Sequence, residues 1–303
     1  MIDYNLIYNL YNCKGLGRVK INNILTQLFV DSNRVKIDIN LLIEKFLNEE
    51  LNGDNTKAYF NVAQIEQKLS QKVHFIDFLS KNYPTSLKPL LSNRPTILSC
   101  IGNLDLFEKT KIGFCGSRKA TEKGFEIARD ISEQVSLKNI TVVSGYASGI
   151  DLETHYTSLK NNGSTIIVLP EGLENFKIKK ILKDVWDWER VLVISEYLPN
   201  AIWSVSRAME RNSTIVALSN LMVLIEARIK GGSIDAGIKT LQFEKPLFAP
   251  IYEGMPEEAS GNQYLLEKGA YPLKRHRETK KANLKNMFEI LDYQSGINKT
   301  LFD

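Results

Sequence analysis

Short apolar runs alternate with longer amphipathic stretches between about residues 110 and 273. The runs are rich in β-branched and aliphatic residues, and they occupy residues 112–115, 140–144, 165–169, 191–195, 221–225 and 246–249. The spacers between them are long enough for crossover helices, so the pattern predicts βαβ units, an α/β fold class and a mostly parallel sheet. Ligands of such open sheets bind outside the carboxyl ends of the strands, so we expect function in the loops that follow the strands.

Residues 1–70 have a different pattern, with apolar positions at helical spacing, and they predict a small helical domain. The sequence CKGLGR at residues 13–18 lies between two helical patterns and predicts a tight turn. Its amides either contact a DNA phosphate, as in a helix-hairpin-helix or SAM-like domain, or belong to an ordinary turn between helices. Residues 71–275 are predicted as the α/β domain. Within it, the extended-looking residues 96–100 follow Arg94-Pro95 and are expected to pack against the sheet.

Residues 276–303 are predicted as a basic C-terminal tail. Between residues 274 and 285 the chain carries six Lys or Arg residues and one acidic residue. Such a run either follows a phosphate backbone or is simply solvated.

Composition narrows the classes of function only modestly. Of the 303 residues, 43% are hydrophobic and 24% are charged, which is ordinary for a globular protein. No apolar run is long enough for a membrane span, and the first residues do not resemble a secretory signal, so we expect a cytoplasmic protein without membrane contact. The net charge of +4 favours nucleic-acid binding only slightly.

The cysteines and histidines do not form a recognisable reactive set. Cys13, Cys100 and Cys115 are far apart, which fits neither a disulfide framework nor paired metal ligands. The histidines, at positions 74, 155 and 276, form no metal or triad arrangement with a Cys or Ser. The sequence therefore gives little support to catalysis, and we expect no catalytic residue, metal or cofactor.

The loop after the first predicted strand has the composition of an anion site. Gly116, Ser117, Arg118 and Lys119 precede a helix that is predicted to begin near Thr121. Glycine permits close backbone approach, a helix start offers unpaired amides, and arginine supplies a forked donor for phosphate oxygens. The spacing is not that of the G-x-G-x-x-G dinucleotide fingerprint.

The loop after the second predicted strand carries Gly145 and Gly149, which permit a tight turn into a helix. Asp151 is expected to cap that helix and to share one face with His155, and an ordinary cap with its neighbour is the favoured explanation of this pair over a functional one. Ser148 lacks the G-x-S-x-G spacing of a nucleophile elbow, which argues against a hydrolase.

Later loops add further cations and glycines at the same expected edge. The candidates there are Arg211, Asn212, Lys230, Gly232 and Ser233. Repeated cations and amides along one rim suit successive phosphates of a nucleic-acid strand. Aromatic residues near the strand ends either stack on a base or pack against the protein, and they are Tyr146, Tyr197 and Trp203.

The ordered set of loops resembles the DNA-processing protein A (DprA/Smf) family over about residues 77 to 273. The matching motifs are FCGSR at 114–118, VSG to GID and His155 at 143–155, SEY at 195–197, RN and LS at 211–219, EA and GGS at 226–233, and GN and GA at 261–270. Upstream, Tyr83-Pro84 and Leu87 also fit the family pattern.

The resemblance implies an extended Rossmann-like domain that binds single-stranded DNA, usually as a homodimer, and helps to load a RecA-type recombinase during natural transformation. The family is not known as an enzyme. By position, the resemblance implies phosphate contacts from Gly116, Ser117, Arg118, Arg211, Asn212, Gly232 and Ser233, with Lys230 as a neighbouring cation. To these the loop chemistry adds Lys119, Gly145 and Gly149.

The chain departs from the family pattern at several points. Ser213 stands where the family usually has a second arginine, the loop at 170–174 lacks the usual small residues, and Trp203 lies farther from Arg211. These departures predict a lost phosphate contact and an altered DNA path. The residues after 273 leave no room for the winged-helix domain of many members, and a divergent role such as defence against foreign DNA is compatible with this pattern.

The sequence therefore favours a binding protein for single-stranded DNA. The main alternative is a nucleotide sensor, or an enzyme related to the cytokinin-activating phosphoribohydrolases, in which the same loops hold one small nucleotide. The proline-glycine-glycine-x-glycine-threonine loop of those enzymes is missing from residues 228–233, which counts against the enzyme but leaves a sensor open. In a third alternative, the basic tail binds a protein partner and Arg118 is dispensable.

Overall fold

The computed structural model describes residues 2–49 and 62–300 and divides into two compact units. The first unit comprises the described residues of Met1–Gly102 together with Leu169–Lys177 and Val193–Arg207. The second comprises Asn103–Val168, Ile178–Leu192 and the described residues of Ala208–Asp303. Within the second unit the strands form a parallel sheet with helices between successive strands, which confirms the α/β, Rossmann-like fold class. The three predicted domains, 1–70, 71–275 and 276–303, stay a prediction.

The helical pattern at the N-terminus forms helices in the first unit, as predicted. They are α1 (Tyr4–Asn12), α2 (Arg18–Val35), α3 (Ile39–Glu49) and α4 (Val62–Leu69). Apolar side chains at helical spacing, such as Ile7, Leu10 and Ile21, are fully buried. The predicted tight turn lies between α1 and α2, where Gly15 has a φ of +83°. Contact of this turn with DNA remains a prediction.

Two antiparallel strands also belong to the first unit. They are β1 (Val73–Asp77) and β2 (Ile97–Gly102), paired from Val73 opposite Ile101 to Asp77 opposite Ile97. The extended segment predicted at residues 96–100 became β2, whereas β1 was not predicted. Its sequence VHFID includes two polar residues, and the second has a specific partner: the buried Asp77 carboxylate accepts the Leu79 N–H at 3.0 Å and the Ser80 hydroxyl at 2.6 Å. A buried acid that closes a turn does not follow the apolar pattern of a strand.

The six strands predicted from the apolar runs are all present, within about one residue of the predicted bounds. They are β3 (Lys111–Gly116), β4 (Thr141–Ser144), β5 (Thr165–Leu169), β6 (Val191–Ser195), β7 (Leu221–Ile225) and β8 (Leu247–Pro250), and a short β9 (Tyr271–Leu273) follows. In the second unit the strand order is β5-β4-β3-β7-β8-β9, and each neighbouring pair is parallel. β3 is therefore central, between β4 and β7.

The helices that follow these strands pack on the sheet. They are α5 (Glu122–Ser136), α6 (Ile150–Lys160), α7 (Val205–Leu218), α8 (Gly232–Gln242), α9 (Ser260–Glu267) and α10 (Lys285–Thr300). α5 places Ile131 and Val135 in one apolar cluster with Phe114 of β3, and Met287 and Leu291 of α10 join the same cluster. Full burial of each such side chain is worth about 1.5–3 kcal/mol. The C-terminal segment thus contributes apolar residues to the core of the second unit.

Among residues 2–49 and 62–300, no helix is both long enough and apolar enough to cross a bilayer.

Candidate functional site

The carboxyl ends of β4, β3 and β7 lie side by side in the second unit, and each strand leads into a loop and a helix. We call residues 116–119, 145–149 and 228–233 of these loops the strand-end rim. The helices α5, α6 and α8 all begin at or just after the rim, which places three positive dipole ends at one edge of the sheet. An edge built in this way is suited to anions.

The first rim loop is held between the other two. The Ser117 N–H donates to the Ile225 carbonyl at 3.2 Å, and the Ile150 N–H donates to the Ser117 carbonyl at 3.2 Å. Gly116 is buried where an added Cβ would lie 2.3 Å from the Ile225 carbonyl oxygen, so no larger residue fits. The loop is thereby fixed, and it presents Arg118 and Lys119 as exposed side chains.

The second rim loop depends on two glycines. Gly149 has a φ of +85°, and a Cβ there would lie 2.3 Å from the Ser117 carbonyl oxygen and 2.6 Å from the Arg118 Cα. A Cβ on Gly145 would lie 1.6 Å from Nη1 of Arg211, so the guanidinium rests directly on the backbone of Gly145. These glycines allow the first two loops, and the arginine, to approach each other.

The third rim loop enters α8 through Gly231, which has a φ of +121°. The Ser233 hydroxyl donates to the Gly116 carbonyl at 2.7 Å and so joins the third loop to the first. Gly232 and Lys230 are exposed, and the first amides of α8 have no partner within the helix. This loop offers backbone donors together with the exposed side chain of Lys230.

The structure places Arg211 and Asn212 beneath the rim, with 5% and 4% of their surface exposed. The Asn212 side-chain amide donates to the Gly232 carbonyl at 3.0 Å and to the Asp235 carboxylate at 3.0 Å, so it supports the start of α8. Arg211 is the main favourable charge near Asp151, and its Nε is buried without a partner among the described residues. Contact of Arg211 and Asn212 with phosphate remains a prediction.

Asp151 does not cap α6, contrary to our prediction. The N-cap is Gly149, and Asp151 lies inside the first turn, where its carboxylate accepts the Ala147 N–H at 3.3 Å. The close approach of Gly149 to the first loop moves the helix start two residues upstream. Burial raises the pKa of Asp151, while the Arg211 guanidinium acts in the opposite direction.

His155 is fully buried one turn further along α6, and its hydrogen bonds fix its tautomer. The Thr165 hydroxyl donates to the Val142 carbonyl at 2.9 Å, so the contact of 2.6 Å between Thr165 Oγ1 and His155 Nδ1 has the histidine as donor. Nε2 is therefore the unprotonated nitrogen, and it is buried without a partner in the described chain. Burial, with Lys179 and Arg211 nearby, lowers the pKa of His155 to about 3, which makes it a neutral structural residue at neutral pH.

Sequence reasoning did not select Glu226 as a site residue. It follows β7 with a φ of +51°, and its buried carboxylate accepts the Thr121 N–H at 2.7 Å, the Thr121 hydroxyl and the Tyr252 hydroxyl. Thr121 is the N-cap of α5, and its hydroxyl oxygen accepts the Gly124 N–H at 3.1 Å. Glu226 thus fixes the start of α5 beside the rim. The position of Glu226 directly after a buried strand is the sequence signal that could have identified it as a site residue.

Asn262 was also not selected, although it belongs to the recognised motif order. It is fully buried, and its side chain accepts the Ala227 N–H at 2.9 Å and donates to the Pro250 carbonyl at 3.2 Å. The neighbouring Gly261 N–H donates to the Ala227 carbonyl at 2.9 Å. Together these bonds fix the chain as it leaves β7 and turns toward the third rim loop.

The aromatic candidates differ in their surroundings. In the second unit, Lys179 Nζ lies 4.5 Å from the centre of the Tyr146 ring and donates to the Tyr146 carbonyl at 2.6 Å, so this ring packs within the protein. In the first unit, Tyr197 is buried and its hydroxyl donates to the Arg207 carbonyl at 2.7 Å. Trp203, also in the first unit, is 45% exposed. The packing interpretation therefore holds for the two tyrosines.

The rim is electropositive by composition. Its exposed cations are Arg118, Lys119, Arg228 and Lys230, and residues 116–119, 145–149 and 228–233 include no Asp or Glu. Across residues 2–49 and 62–300, no group of three or more His, Cys, Asp or Glu side chains is placed to hold a metal ion. Cys115 lies just behind the rim, and burial raises its pKa to about 12, which keeps it an unreactive thiol at neutral pH.

Comparison with known proteins gives a consistent result. A family model described as DNA recombination-mediator protein A matches residues 74–283. The DNA processing protein DprA of Streptococcus pneumoniae is 29% identical over 220 residues, which cover 71% of this chain and 76% of the relative. DprA of Bacillus subtilis is 29% identical over 203 residues, covering 66% and 68% respectively.

Solved structures also match. The X-ray structure of DNA processing protein A from Streptococcus pneumoniae has a TM-score of 0.70 at 25% identity and covers 90% of this chain and 95% of its own. A structure of DNA processing protein A from Helicobacter pylori, which concerns the single-stranded DNA binding mode of that protein, has a TM-score of 0.57 at 21% identity. It covers 75% of this chain and 96% of its own, and this likeness shows the fold.

Proposed function

The chain belongs to the DNA recombination-mediator protein A family, and from this premise we propose that it binds single-stranded DNA through the strand-end rim. The observation that carries the proposal is the convergence of three helix starts and several exposed cations on one edge of the sheet. Such an edge binds successive phosphates because amides, dipoles and cations all favour negative charge.

We propose different tasks for the candidate residues. Arg118, Lys119 and Lys230 are exposed and reach the phosphates, while the amides at Gly232 and Ser233 form the start of α8. Gly116, Gly145 and Gly149 allow the loops to pack closely. Arg211 and Asn212 are buried under the rim. We propose that the buried positive charge of Arg211 attracts a phosphate that is bound at the second rim loop.

The choice of a single strand rests on the family and on its members. Helix starts and cations bind phosphates without reading the bases, so the rim by itself favours nucleic acid in general. The Helicobacter pylori protein that shares this fold is described by its single-stranded DNA binding, and we propose the same ligand class here. We propose a binding role without catalysis, metal or cofactor, in which the buried neutral His155 and the unreactive Cys115 are structural residues.

The finer features of the proposal concern partners and setting. As a member of a recombination-mediator family, the protein is proposed to act as a homodimer in the cytoplasm, to protect exposed or incoming single strands and to pass them to a RecA-type recombinase. DNA uptake and recombination are the settings that fit the DNA-processing relatives.

Replacing Arg118 by alanine is expected to weaken binding of single-stranded oligothymidylate about tenfold, because one charge-assisted phosphate contact is lost. The slope of log affinity against log salt should fall by about 0.7, the value for one phosphate on a single strand. Fluorescence anisotropy across a salt series measures both. The Arg34→Ala variant removes the same charge from an exposed position on α2 and is expected to bind like the wild type.

The same titrations with a double-stranded oligonucleotide and with mononucleotides separate the alternatives. Strong preference for the single strand supports the proposal. Tight mononucleotide binding with little affinity for oligonucleotides would instead identify a nucleotide sensor. Equal affinity of the Arg118→Ala and wild-type proteins for the single strand would show that the rim is not the binding surface.

A further inference from the structure

A groove beside the rim has no role in the site described above. It lies in the second unit between α6 and the segment at 178–185, has a volume of about 860 Å³, and is lined by Tyr156, by the aliphatic residues of that segment and by Lys180, Lys183 and Asp184. Its floor is apolar, since Ile178 and Ile181 line it together with the ring of Tyr156. We call it the Tyr156 groove.

The Tyr156 groove continues the rim along α6. Gly149 at the rim and Tyr156 are seven residues apart, which corresponds to two turns on the same helix face and about 10 Å along the axis. The opposite wall is also tied to the rim: the Lys179 N–H donates to the Tyr146 hydroxyl at 2.9 Å, and Tyr146 belongs to the second rim loop. The segment at 178–185 is therefore hydrogen-bonded to the rim near its first residue, and it forms one side of the groove.

The groove is bordered by cations. Lys180 and Lys183 are exposed on its edge, and Lys160 Nζ lies 5.7 Å from the centre of the Tyr156 ring. Asp184 is the acidic residue in the lining. The groove is thus bordered by three lysines and one carboxylate, so its border is net positive. These charges lie around an aromatic ring and aliphatic side chains. Bases stack on such apolar and aromatic surfaces while their phosphates lie near cations.

From these observations we infer that the Tyr156 groove binds the nucleotides of a single DNA strand that extends past the rim. The inference rests on the proposed function and deepens it, because it adds a second subsite for the same ligand. A strand that leaves the start of α6 reaches Tyr156 within about three nucleotides, at about 3.4 Å or more per nucleotide. Two additional phosphates then lie near Lys180 and Lys183. An acidic peptide has a similar charge, but the continuity with the rim favours the DNA strand.

The test uses the full chain and oligothymidylates of two lengths, about three and about twenty nucleotides. The shorter one covers only the rim, whose three neighbouring strand ends lie within about 10 Å, whereas the longer one also reaches the groove. The double variant Lys180→Gln/Lys183→Gln changes two exposed side chains and is expected to keep the fold. For the longer strand we expect its affinity to fall about tenfold and its salt slope to fall by about 1.4, the value for two phosphates. For the shorter strand we expect no change.

A matched control removes two charges at the opposite edge of the sheet. Lys138 precedes β4 and Lys268 precedes β9, so both lie at the amino ends of parallel strands, and Lys138→Gln/Lys268→Gln should bind both lengths like the wild type. Wild-type affinity of the groove variant for the longer strand, with or without binding of an acidic peptide, would overturn the inference. Equal losses for both lengths would overturn it as well. If Arg118→Ala still lowers affinity in either case, the proposed function stands; if no variant affects binding, the proposed function fails.

Discussion

Substituting alanine for Gly149 is expected to lower the free energy of unfolding by about 3 kcal/mol or more. Two effects act together at this position. The φ of +85° is strained for any residue with a Cβ, and the Cβ would lie 2.3 Å from the Ser117 carbonyl oxygen, which is backbone and cannot rotate away. Urea unfolding followed by circular dichroism measures the loss.

Gly15 offers a control with almost the same φ. Its φ is +83°, but an added Cβ has no heavy atom within 4 Å, so Gly15→Ala carries the conformational cost alone, about 1 kcal/mol. The additional loss at Gly149 therefore contains the cost of the close approach of the first two rim loops, together with any cost of its ψ of −136°. Equal losses of stability would mean that this approach contributes nothing.

The Gly149→Ala substitution is also expected to reduce the affinity for single-stranded DNA by at least about tenfold in protein that remains folded. Any shift that relieves the clash moves Ser117 and Arg118, because the clash is with their backbone atoms. Misplacement of a charge-assisted donor by about 1 Å removes most of its contribution. Gly15→Ala should leave the affinity unchanged if the N-terminal turn is an ordinary turn, and a loss there would instead support its contact with DNA.

The sheet was predictable because burial on both faces gives continuous apolar runs, which do not depend on partners far along the chain. β1 was missed because its run contains the polar His74 and Asp77, and the buried Asp77 is satisfied by a turn formed two and three residues later. The glycine loops were recognised as anion sites from local chemistry alone. The cap of α6 was misassigned because the position of Gly149 depends on the first loop, a contact between distant segments.

Burial of Arg211 was not predicted, although a helical pattern contains the signal. Arg211, Ile215 and Leu218 are spaced at i, i+4 and i+7 on α7 and are all buried, so they share one face. A charged residue on an apolar helix face is either a core residue with a partner or a binding residue, and the sequence does not distinguish these. Asp151, which supplies the opposite charge, comes from another helix.

The buried His155 leads to a prediction about stability at acid pH. Its pKa of about 3 in the folded protein lies below its ordinary value of about 6.5, so between these values the unfolded chain binds a proton that the folded chain does not. The contribution of this residue is complete above about pH 6.5 and is lost as the pH falls toward 3. The expected loss is about 1.4 kcal/mol for each pH unit below 6.5, or about 2.7 kcal/mol at pH 4.5.

The variant His155→Asn tests this prediction because it keeps a donor near the position of Nδ1, directed at Thr165, and cannot be protonated in this range. Urea unfolding between pH 7.5 and 4.5 should show a steeper decline for the wild type than for the variant, and the two curves should converge or cross as the pH falls. His74 and His276 are present in both proteins and cancel in the comparison. Parallel curves would mean that the imidazole gains a proton in the folded state, which requires a partner for Nε2 and would reopen a chemical role for this residue.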